Sequence, residues 1–400
     1  MSMNDTRRIA IAGAGIGGLC AAALLLRRGF EVHVFERAAA LGEIGAGLQI
    51  SPNGVKVLRT LGLGDALDRV GVRPRHLTIR DWKTGLVVSR TGIDGDFDRA
   101  YGAPYYHVHR ADLLSLLREA ASGATLRTGC AVQGVEADDH GATITTDAGS
   151  ERFDAVIGAD GIHSAVRRAL QGEQAPRFTG NVAFRALVPA DDTLRQRVER
   201  DSTIWMGPGG HVVHYFVRSA QLLNIVAVYE TNRWTDESWT QPADVGDLLA
   251  CFGAWNRSLR DVLARAVQVN RWALYDRDPL TRWGQGRITL LGDAAHAMLP
   301  FLAQGAVMAI EDACVLANEL AAYQDTSAAL RRYESARLKR TSRLQLAARA
   351  QGESMHRTGA LDAWRRNARL FLRSRFSRED QLRKGQGLYG FDATSSRQTG

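Results

Sequence analysis

Three glycines near the start of the chain have the spacing of a turn that binds phosphate. Gly13, Gly15 and Gly18 follow a short apolar run at residues 9–12, which reads as a buried strand, and they lead into a helical segment. The first glycine permits a tight turn, the second lets a pyrophosphate approach the backbone, and the third lets the helix pack closely on the strand. The positive end of the helix dipole then faces the phosphates. This pattern predicts a dinucleotide-binding turn.

An acidic residue narrows the choice of dinucleotide. Glu36 directly follows residues 31–35, which read as the second strand of the same unit. A carboxylate at this place accepts hydrogen bonds from a ribose 2′-hydroxyl and repels a 2′-phosphate. The sequence therefore predicts that FAD or NAD, and not NADP, is the bound dinucleotide.

Two later segments repeat the pattern of a buried strand that ends in a turn of glycine and aspartate. Asp160 follows the apolar run at residues 154–159, and Asp293 follows the run at residues 287–292. Between them and the first turn, Arg110 opens another helical segment. Three strand ends of this kind are more than one NAD site needs, and they favour a long ligand that crosses one edge of a sheet.

Composition excludes several classes of protein. A length of 400 residues predicts two or three domains, and the hydrophobic (45%) and charged (24%) fractions are those of a folded globular protein. Four scattered cysteines form neither a disulfide framework nor a metal-binding pair, so we predict no metal and a reducing, cytoplasmic location. The apolar run at residues 9–26 contains four glycines and no cleavage site, so neither a signal peptide nor a membrane span is expected.

The formal net charge of +8 comes mostly from the end of the chain. Residues 357–400 contain ten Arg or Lys and four Asp or Glu, a surplus of six positive charges. No nucleic-acid motif accompanies them, so we predict no nucleic-acid partner. Residues 361–373 read as a basic, fairly apolar helix, which favours packing on the body of the protein or on a second subunit, as in a homodimer. Residues 385–400 read as a loose end.

Several motifs together carry a resemblance to a known family. The segments GAGIGG, GADGIHSAVR and LLGDAAHAMLPFLAQGAVMAIEDA, with Arg110, resemble the single-component FAD-dependent aromatic hydroxylases of the para-hydroxybenzoate hydroxylase group. Within that group, GEIGAGLQISPNG (residues 42–54) and HVVHYFVR (residues 211–218) are most similar to salicylate and 3-hydroxybenzoate hydroxylases. The resemblance runs from residue 7 to residue 345.

The resemblance implies an α/β fold with a Rossmann-type FAD-binding domain, an inserted and mostly antiparallel substrate domain, and a C-terminal helical tail. The implied boundaries are residues 1–74, 102–174 and 275–348 for the FAD-binding domain, 75–101 and 175–274 for the substrate domain, and 349–400 for the C-terminal helix and basic tail.

The implied activity is that of a flavin monooxygenase. FAD, NAD(P)H (with NADH favoured) and O2 would serve to hydroxylate a phenolic aromatic acid of the salicylate or 3-hydroxybenzoate type through a flavin C4a-hydroperoxide. The resemblance also implies that NAD(P)H binds transiently, without a Rossmann domain of its own. The residues that the resemblance assigns to cofactor binding are Gly13, Gly15, Gly18, Glu36, Arg37, Arg110, Asp160, Asp293, Gly305 and Ala306.

His214, Tyr215 and Pro300 are the residues predicted to lie around the reacting substrate. Residues 211–217 alternate as a strand, so His214 and Phe216 face one side while Tyr215 faces the other. A phenol reacts better with an electrophilic oxygen when an acceptor shares its proton, and histidine titrates in the required range. The resemblance favours His214 as this acceptor, with Tyr215 second. The alternative is a sheet histidine bonded to a neighbour. Pro300 would rigidify the floor of the pocket.

Other interpretations stay open. One is an FAD monooxygenase of the same fold that acts on a heteroaromatic compound such as 6-hydroxynicotinate, or on another substrate that is not a benzoate. Another is a flavin- or NAD-binding protein without turnover. Arg185 either attracts a substrate carboxylate or forms an ion pair, and His296 either lies near the flavin or holds the preceding turn.

Overall fold

The computed structural model describes residues 6–40, 46–231, 241–374 and 378–395. Its strands, in chain order, are β1 Arg8–Ala12, β2 Glu31–Phe35, β3 Gly47–Ile50, β4 His76–Asp81, β5 Val87–Gly92, β6 Tyr106–His109, β7 Thr125–Arg127, β8 Val132–Ala137, β9 Ala142–Thr146, β10 Gly149–Phe153, β11 Ala155–Gly158, β12 Arg177–Pro189, β13 Ser202–Gly207, β14 Gly210–Val217, β15 Leu222–Glu230, β16 Gln241–Ala243, β17 Gln268–Asp276 and β18 Ile288–Leu290.

The α-helices, again in chain order, are α1 Ile16–Leu26, α2 Pro52–Thr60, α3 Gly64–Val70, α4 Asp96–Tyr101, α5 Arg110–Ala120, α6 Ala165–Gln171, α7 Asp192–Arg197, α8 Val245–Phe252, α9 Arg257–Leu263, α10 Asp293–His296, α11 Gly305–Ala322, α12 Thr326–Met355, α13 Ala360–Ser374 and α14 Arg378–Tyr389. A short 3₁₀ helix at Pro300–Leu302 precedes α11.

A parallel sheet with the strand order β18-β11-β1-β2-β7 organises the first domain. β1 lies at its centre, with Ile11 opposite Val34 of β2 and Ile157 of β11. These strands are apolar along most of their length, so both faces of the sheet must be covered. Helix α1 packs against α5 and α11 in the surrounding layers, and Ile11 is fully buried. The predicted unit of strand, glycine turn, helix and strand is confirmed.

A second sheet has the strand order β16-β17-β12-β15-β14-β13-β4-β5. It is antiparallel except for the parallel pair β13 and β4, and its strands come from residues 76–92 and 177–276. Together the two sheets confirm the predicted fold class, a Rossmann-like α/β domain that carries an inserted, mostly antiparallel sheet and is followed by C-terminal helices.

The two faces of this second sheet have different neighbours. On one face, which we call the helix-covered face, Phe184 and Val212 pack with Leu248 of α8 and its neighbours in α9. On the other, which we call the inner face, Ala183 and Trp272 pack with Phe301 from the 3₁₀ helix. The inner face is therefore the one turned toward the first domain.

The end of the chain is more ordered than the sequence indicates. Helix α12 runs through residue 349, where the tail was expected to begin, and α13 and α14 follow it. The prediction of a loose end is wrong as far as residue 395. There, Arg340 donates to the carbonyl oxygens of Gly387 (2.8 Å) and Leu388 (3.0 Å), and Ala393 is buried. Residues 396–400 lie outside the described residues.

Candidate active site

The glycine turn after β1 has the geometry that its spacing predicts. Gly13 has φ +103°, and a Cβ atom there would lie 2.4 Å from the carbonyl oxygen of Ala159. At Gly18 a Cβ would lie 2.0 Å from the carbonyl oxygen of Gly13, so only glycine lets α1 approach the turn this closely. A Cβ at Gly15 would meet nothing within 4 Å. The turn therefore leaves open space above the N-terminus of α1, where a pyrophosphate fits.

Glu36 lies beside this space, at the end of β2. Its carboxylate oxygens accept hydrogen bonds from the backbone N–H groups of Ala14 (2.8 Å) and Ala38 (2.9 Å). The side chain is thus fixed next to the glycine turn before any ligand arrives, as a ribose acceptor must be. The neighbouring Arg37 is exposed.

Asp160 belongs to the turn that packs directly on Gly13. Its carboxylate accepts hydrogen bonds from the backbone N–H groups of Ala165 (2.7 Å) and Val166 (3.3 Å), so it caps the start of α6. Burial raises the pKa of this carboxyl group. One carboxylate oxygen, Oδ1, is buried and has no hydrogen-bond partner, which leaves it free for a ligand group.

Asp293 and Arg110 lie close enough for each charge to affect the other's pKa. The Asp293 side chain is open to solvent, yet surrounding protein atoms desolvate it and raise its pKa, as expected at the bottom of a cleft. A Cβ at Gly305, the first residue of α11, would lie 3.9 Å from its Oδ1. Gly305 and Ala306 are partly exposed. Arg110, Asp293, Gly305 and Ala306 are accessible to solvent, as is Gly15 in the glycine turn, and these positions together fit a long ligand such as FAD.

The loop that joins the 3₁₀ helix to α11 is held by side chains at the start of α2. Pro300 is exposed at its start, and Ala303 has φ +53°. The Gln304 amide donates to the Ser51 hydroxyl (3.0 Å) and accepts from the Asn53 amide (3.2 Å). Both partners belong to the predicted motif at residues 42–54, of which residues 42–45 lie outside the described residues.

His296 has a buried ionic partner. Its Nε2 lies 2.5 Å from a carboxylate oxygen of Asp312, and the same oxygen accepts a hydrogen bond from the backbone N–H of Gly292 (3.1 Å). Arg337 donates to the other oxygen of Asp312 (2.7 Å). His296 therefore helps to hold the turn that carries Asp293.

The predicted alternation of β14 is present, and it separates His214 from Tyr215. His214 lies on the helix-covered face, where its Nε2 accepts a hydrogen bond from the indole N–H of Trp205 (3.1 Å). Burial lowers the pKa of His214 to about 4. The structure does not bring His214 together with the other candidate residues, because its face of the sheet is closed by α8 and α9.

Tyr215 lies on the inner face. Its ring packs on His107 with a centroid distance of 4.3 Å and an interplanar angle of 34°, and it fills the space beside Gly47. Burial raises the pKa of Tyr215, although a hydrogen bond from the Gln49 side chain opposes this shift. The Gln49 amide oxygen accepts the hydroxyl proton of Tyr105 (2.7 Å). At neutral pH Tyr215 is therefore a protonated hydrogen-bond donor.

Arg185 also lies on the inner face, and it has no counter-ion among the described residues. Its guanidinium stands over the Trp272 ring at 4.2 Å, and its buried Nε has no hydrogen-bond partner. Burial lowers the pKa of Arg185 to about 10, so the group stays positively charged at neutral pH. The charges that act on it belong to Tyr215 and Arg110, so Arg185 lies near Arg110, one of the residues predicted to bind the cofactor. A buried cation in this state is incomplete without an anion.

His211 is a residue that sequence reasoning missed. It lies on the inner face, four positions before Tyr215, with its ring centroid 5.2 Å from that of Phe301. Its Nδ1 is 2.7 Å from the Nε2 of His356, at the end of α12. Burial and the neighbouring His356 lower the pKa of His211 well below its usual value. The strand alternation already puts residues 211 and 215 on one face, so the signal was available.

Comparison with known proteins identifies the family. Residues 6–349 match the FAD binding domain family, and the chain belongs to it. The chain is 42% identical to the 3-amino-4-hydroxybenzoate 2-monooxygenase PtmB3 of Streptomyces platensis, over 88% of this chain and 89% of that one. It is a single-component FAD-dependent aromatic hydroxylase. The predicted family is thereby confirmed.

Two further relatives of this hydroxylase act on different rings. It is 38% identical to the 3-hydroxybenzoate 6-hydroxylase 1 of Aquipseudomonas alcaligenes, over 84% of this chain and 86% of the relative. It is 37% identical to the 6-hydroxynicotinate 3-monooxygenase of Bordetella bronchiseptica, over 86% and 91%. Among solved structures, Klebsiella pneumoniae HpxO complexed with FAD and uric acid matches with a TM-score of 0.84 and 28% identity, covering 94% of this chain and 95% of the other.

The described part of this hydroxylase has neither a membrane-spanning helix nor a cluster of metal-binding side chains. None of the described helices is both long enough and apolar enough to cross a membrane. Nor do the described His, Cys, Asp and Glu side chains form a group of three that could hold a metal ion.

Proposed function

We propose that this hydroxylase acts on an aromatic acid that carries a phenolic hydroxyl, of the salicylate or 3-hydroxybenzoate type, with NADH as reductant and O2 as co-substrate. When bound, FAD supplies the redox chemistry that activates oxygen. The protein's own residues bind the acid, orient it and accept its phenolic proton.

The observation that carries this proposal is the unpaired Arg185 on the inner face. A buried guanidinium with an unsatisfied Nε is stabilised by a carboxylate, which it binds with charge-assisted hydrogen bonds. The three relatives named above have substrates that combine a carboxylate with a ring hydroxyl. An aromatic acid whose carboxylate binds Arg185 is therefore consistent with the structure and with the substrates in the names of these relatives.

His211 and Tyr215 complete the substrate site in this proposal. His211 is uncharged at neutral pH, because burial opposes its protonation, so it can accept a phenolic proton. Tyr215 keeps its own proton and donates a hydrogen bond to a substrate oxygen. We assign the proton acceptor to His211 in place of His214, since His214 faces the other core. Pro300 starts the turn whose Phe301 packs on His211, and in this way it shapes the pocket.

A panel of ring compounds tests the substrate class. We expect hydroxylated product from salicylate or 3-hydroxybenzoate, identified by mass spectrometry and NMR, with NADH oxidised in proportion. Product from 6-hydroxynicotinate alone would favour the heteroaromatic alternative, which the 37%-identical relative supports. No ligand-dependent product from any of these acids would contradict the proposal.

Replacement of Arg185 tests the carboxylate anchor. Arg185→Met should raise KM for the acid by about 10- to 100-fold, because a hydrogen bond to a charged group contributes about 1.5–3 kcal/mol. Arg185→Lys should recover part of this loss, because lysine restores the positive charge but not the paired hydrogen bonds that a guanidinium makes to a carboxylate. The matched control is a phenol that lacks the carboxylate, for which all three proteins should bind equally. A KM that is unchanged in Arg185→Met would show that the acid binds elsewhere.

Glu36→Arg tests the cofactor site. Glu36 stands in this proposal as the acceptor for the ribose hydroxyls of FAD, with Gly13, Gly15 and Gly18 around the pyrophosphate and Arg110, Asp160, Asp293, Gly305 and Ala306 along the rest of the ligand. Replacing the carboxylate removes the acceptor and adds a cation, so the purified variant should lose most of its bound FAD. Asp192→Arg is the control with the same change of charge, because Asp192 is a surface carboxylate of α7 with an exposure of 88% and is not among the residues assigned to the cofactor. Full flavin occupancy in Glu36→Arg, measured from the absorbance spectrum, would contradict the assignment.

The reductant and the assembly are further parts of the proposal. NADH reaches the flavin from outside, since the second G-x-G-x-x-G spacing of the sequence, at residues 385–390, lies in α14 and at its end and not in a turn between a strand and a helix. Anaerobic stopped-flow reduction with NADH and with NADPH, each with and without the acid, measures both the preference and the stimulation by substrate. Sedimentation analysis tests for a homodimer, whose contact would involve exposed apolar residues of α13 such as Trp364.

A further inference from the structure

Three side chains connect the inner face to the protein surface. The Nδ1 of His211 lies 2.7 Å from the Nε2 of His356, and the Nδ1 of His356 lies 3.2 Å from a carboxylate oxygen of Glu230. Both imidazoles are buried, whereas the Glu230 side chain is 47% exposed. The series therefore begins inside the protein and ends in solvent.

The surrounding backbone fixes His356 in this series. Its carbonyl oxygen accepts a hydrogen bond from the backbone N–H of Gly209 (3.1 Å), and Arg366 of α13 donates to the carbonyl oxygen of Met355 (2.7 Å). The Phe301 ring packs against both imidazoles, with centroid distances of 5.2 and 5.6 Å. The end of α12 is thereby held against the strand that carries His211.

Glu230 determines which ring nitrogens carry protons. Its carboxylate can only accept, so the Nδ1 of neutral His356 carries the hydrogen. The Nε2 of His356 is then a bare acceptor, and it takes the hydrogen on the Nδ1 of His211. The Nε2 of His211 must therefore be bare, and no described group bonds it. A bare nitrogen is what the acceptor of a phenolic proton requires.

We propose that His356 and Glu230 form a proton relay that conducts the substrate's phenolic proton from His211 to solvent. The proposal rests on the proposed function, in which His211 is the first acceptor. A proton enters at the Nε2 of His211, the proton on its Nδ1 passes to the Nε2 of His356, and the proton on the Nδ1 of His356 passes to Glu230. Glu230 releases a proton to water, so one proton enters and one leaves.

The charges around His356 favour the transfer of a proton through its ring and disfavour a ring that stays protonated. Burial lowers the pKa of His356, and Arg366 acts in the same direction while Glu230 opposes them. His211 is its other titratable neighbour, and Arg357 follows it in the chain. A proton held on the buried ring is therefore disfavoured, whereas the half-exposed carboxylate is stabilised by water.

The test is the rate of proton release when the acid binds. The FAD-loaded protein is mixed anaerobically with 3-hydroxybenzoate and a pH-indicator dye in a stopped-flow instrument near pH 7, where the free phenol is protonated. Flavin absorbance in the same experiment reports binding. In the natural protein we expect one proton to be released with binding.

Two variants of Glu230 interrupt the relay at its last residue. In Glu230→Gln the amide oxygen still accepts the His356 proton as a hydrogen bond but cannot take it up, so release should slow by at least about tenfold while hydrogen-bond geometry is kept. In Glu230→Ala, added acetate should restore part of the rate. The matched control is Glu199→Gln, since the Glu199 side chain has a similar exposure of 46% but pairs with Arg80 and Arg90. Its rate should be unchanged.

The outcomes separate the relay from the proposed function. Binding with an unchanged rate of proton release in Glu230→Gln would overturn the relay, even if the variant were less stable to heat. Binding without proton release in the natural protein would also overturn it. Failure of the natural protein to bind any of the phenolic acids would instead overturn the proposed function.

Discussion

The two faces of the eight-stranded sheet use histidine in opposite ways. On the helix-covered face, His214 accepts a hydrogen bond from Trp205, and its other nitrogen is buried with no partner. On the inner face, His211 is linked through His356 to a carboxylate at the surface. The two residues stand three positions apart on one strand, and burial lowers the pKa of both.

The difference shows that burial alone does not make a histidine a proton acceptor. Both rings are uncharged at neutral pH, so the electrostatic cost of protonation is common to them. What separates them is a ring nitrogen on the inner face that no described group bonds and the series of contacts through His356 that we propose as the path of the proton. Only His211 has both.

The largest expected difference between the faces is in product formation. His211→Asn should lower hydroxylation by about 10²- to 10⁴-fold, the usual contribution of proton transfer, and NADH oxidation should yield hydrogen peroxide instead. His214→Asn should keep most of the coupling between NADH oxidation and product, because its face is closed to the substrate. The ratio of hydroxylated product to NADH consumed measures both. The reverse order would show that the substrate lies on the helix-covered face.

A smaller effect is expected at Tyr215, which shares the inner face. Tyr215→Phe removes one hydroxyl donor of a neutral hydrogen bond, worth about 0.5–1.5 kcal/mol, so product formation should fall by roughly two- to tenfold. The ring that packs on His107 and Gly47 remains, so FAD content and folding should be retained. A loss as large as that of His211→Asn would make Tyr215 the principal contact of the phenol.

Replacing His214 on the helix-covered face should lower the stability of the protein but should not change hydroxylation. His214→Phe leaves the indole N–H of Trp205 without an acceptor, at a cost of about 1–3 kcal/mol in the free energy of unfolding at neutral pH. The pKa of His214 is about 4 when folded and near 6.5 when unfolded, so the unfolded state binds more protons in this range. The contribution of His214 to stability is complete above pH 6.5 and is lost as the pH falls toward 4.

Urea unfolding at pH 7 and pH 5 measures this loss. The natural protein should be less stable at pH 5, and the difference between the two pH values should be smaller in His214→Phe. His107 adds to the loss in both proteins, because burial lowers its pKa to about 3. An equal pH dependence in the two proteins would show that His214 does not titrate on unfolding.

Local patterns account for what the sequence predicts well. One short segment holds the glycine turn, Glu36 and the strands beside them. The spacing of these residues in the sequence is therefore enough to predict how they are arranged. Alternation along β14 is also local, and it correctly separates His214 from Tyr215. The packing of α8 and α9 decides which side of β14 faces the first domain. A local pattern of residues along the strand cannot predict this packing.

The parts that could not be predicted depend on distant pairs. His211 and His356 are 145 positions apart, and their contact requires that α12 end beside β14. The state of Arg185 depends on the absence of an acidic neighbour among the described residues, which only the folded structure shows. Sequence reasoning left its two interpretations open, and the structure supports the carboxylate anchor that we propose.

The ordered end of the chain has a consequence for folding during synthesis. The carbonyl oxygen of Ala393 accepts hydrogen bonds from Asn318 and Cys314 of α11, so the first domain, which includes β1 at Arg8, also takes contacts from residues that follow the whole second sheet in the chain. The strands of the second sheet are all made by Asp276. A chain still attached to the ribosome can therefore assemble the second sheet while the first domain lacks its final contacts. The first domain is therefore begun before the second sheet and completed after it.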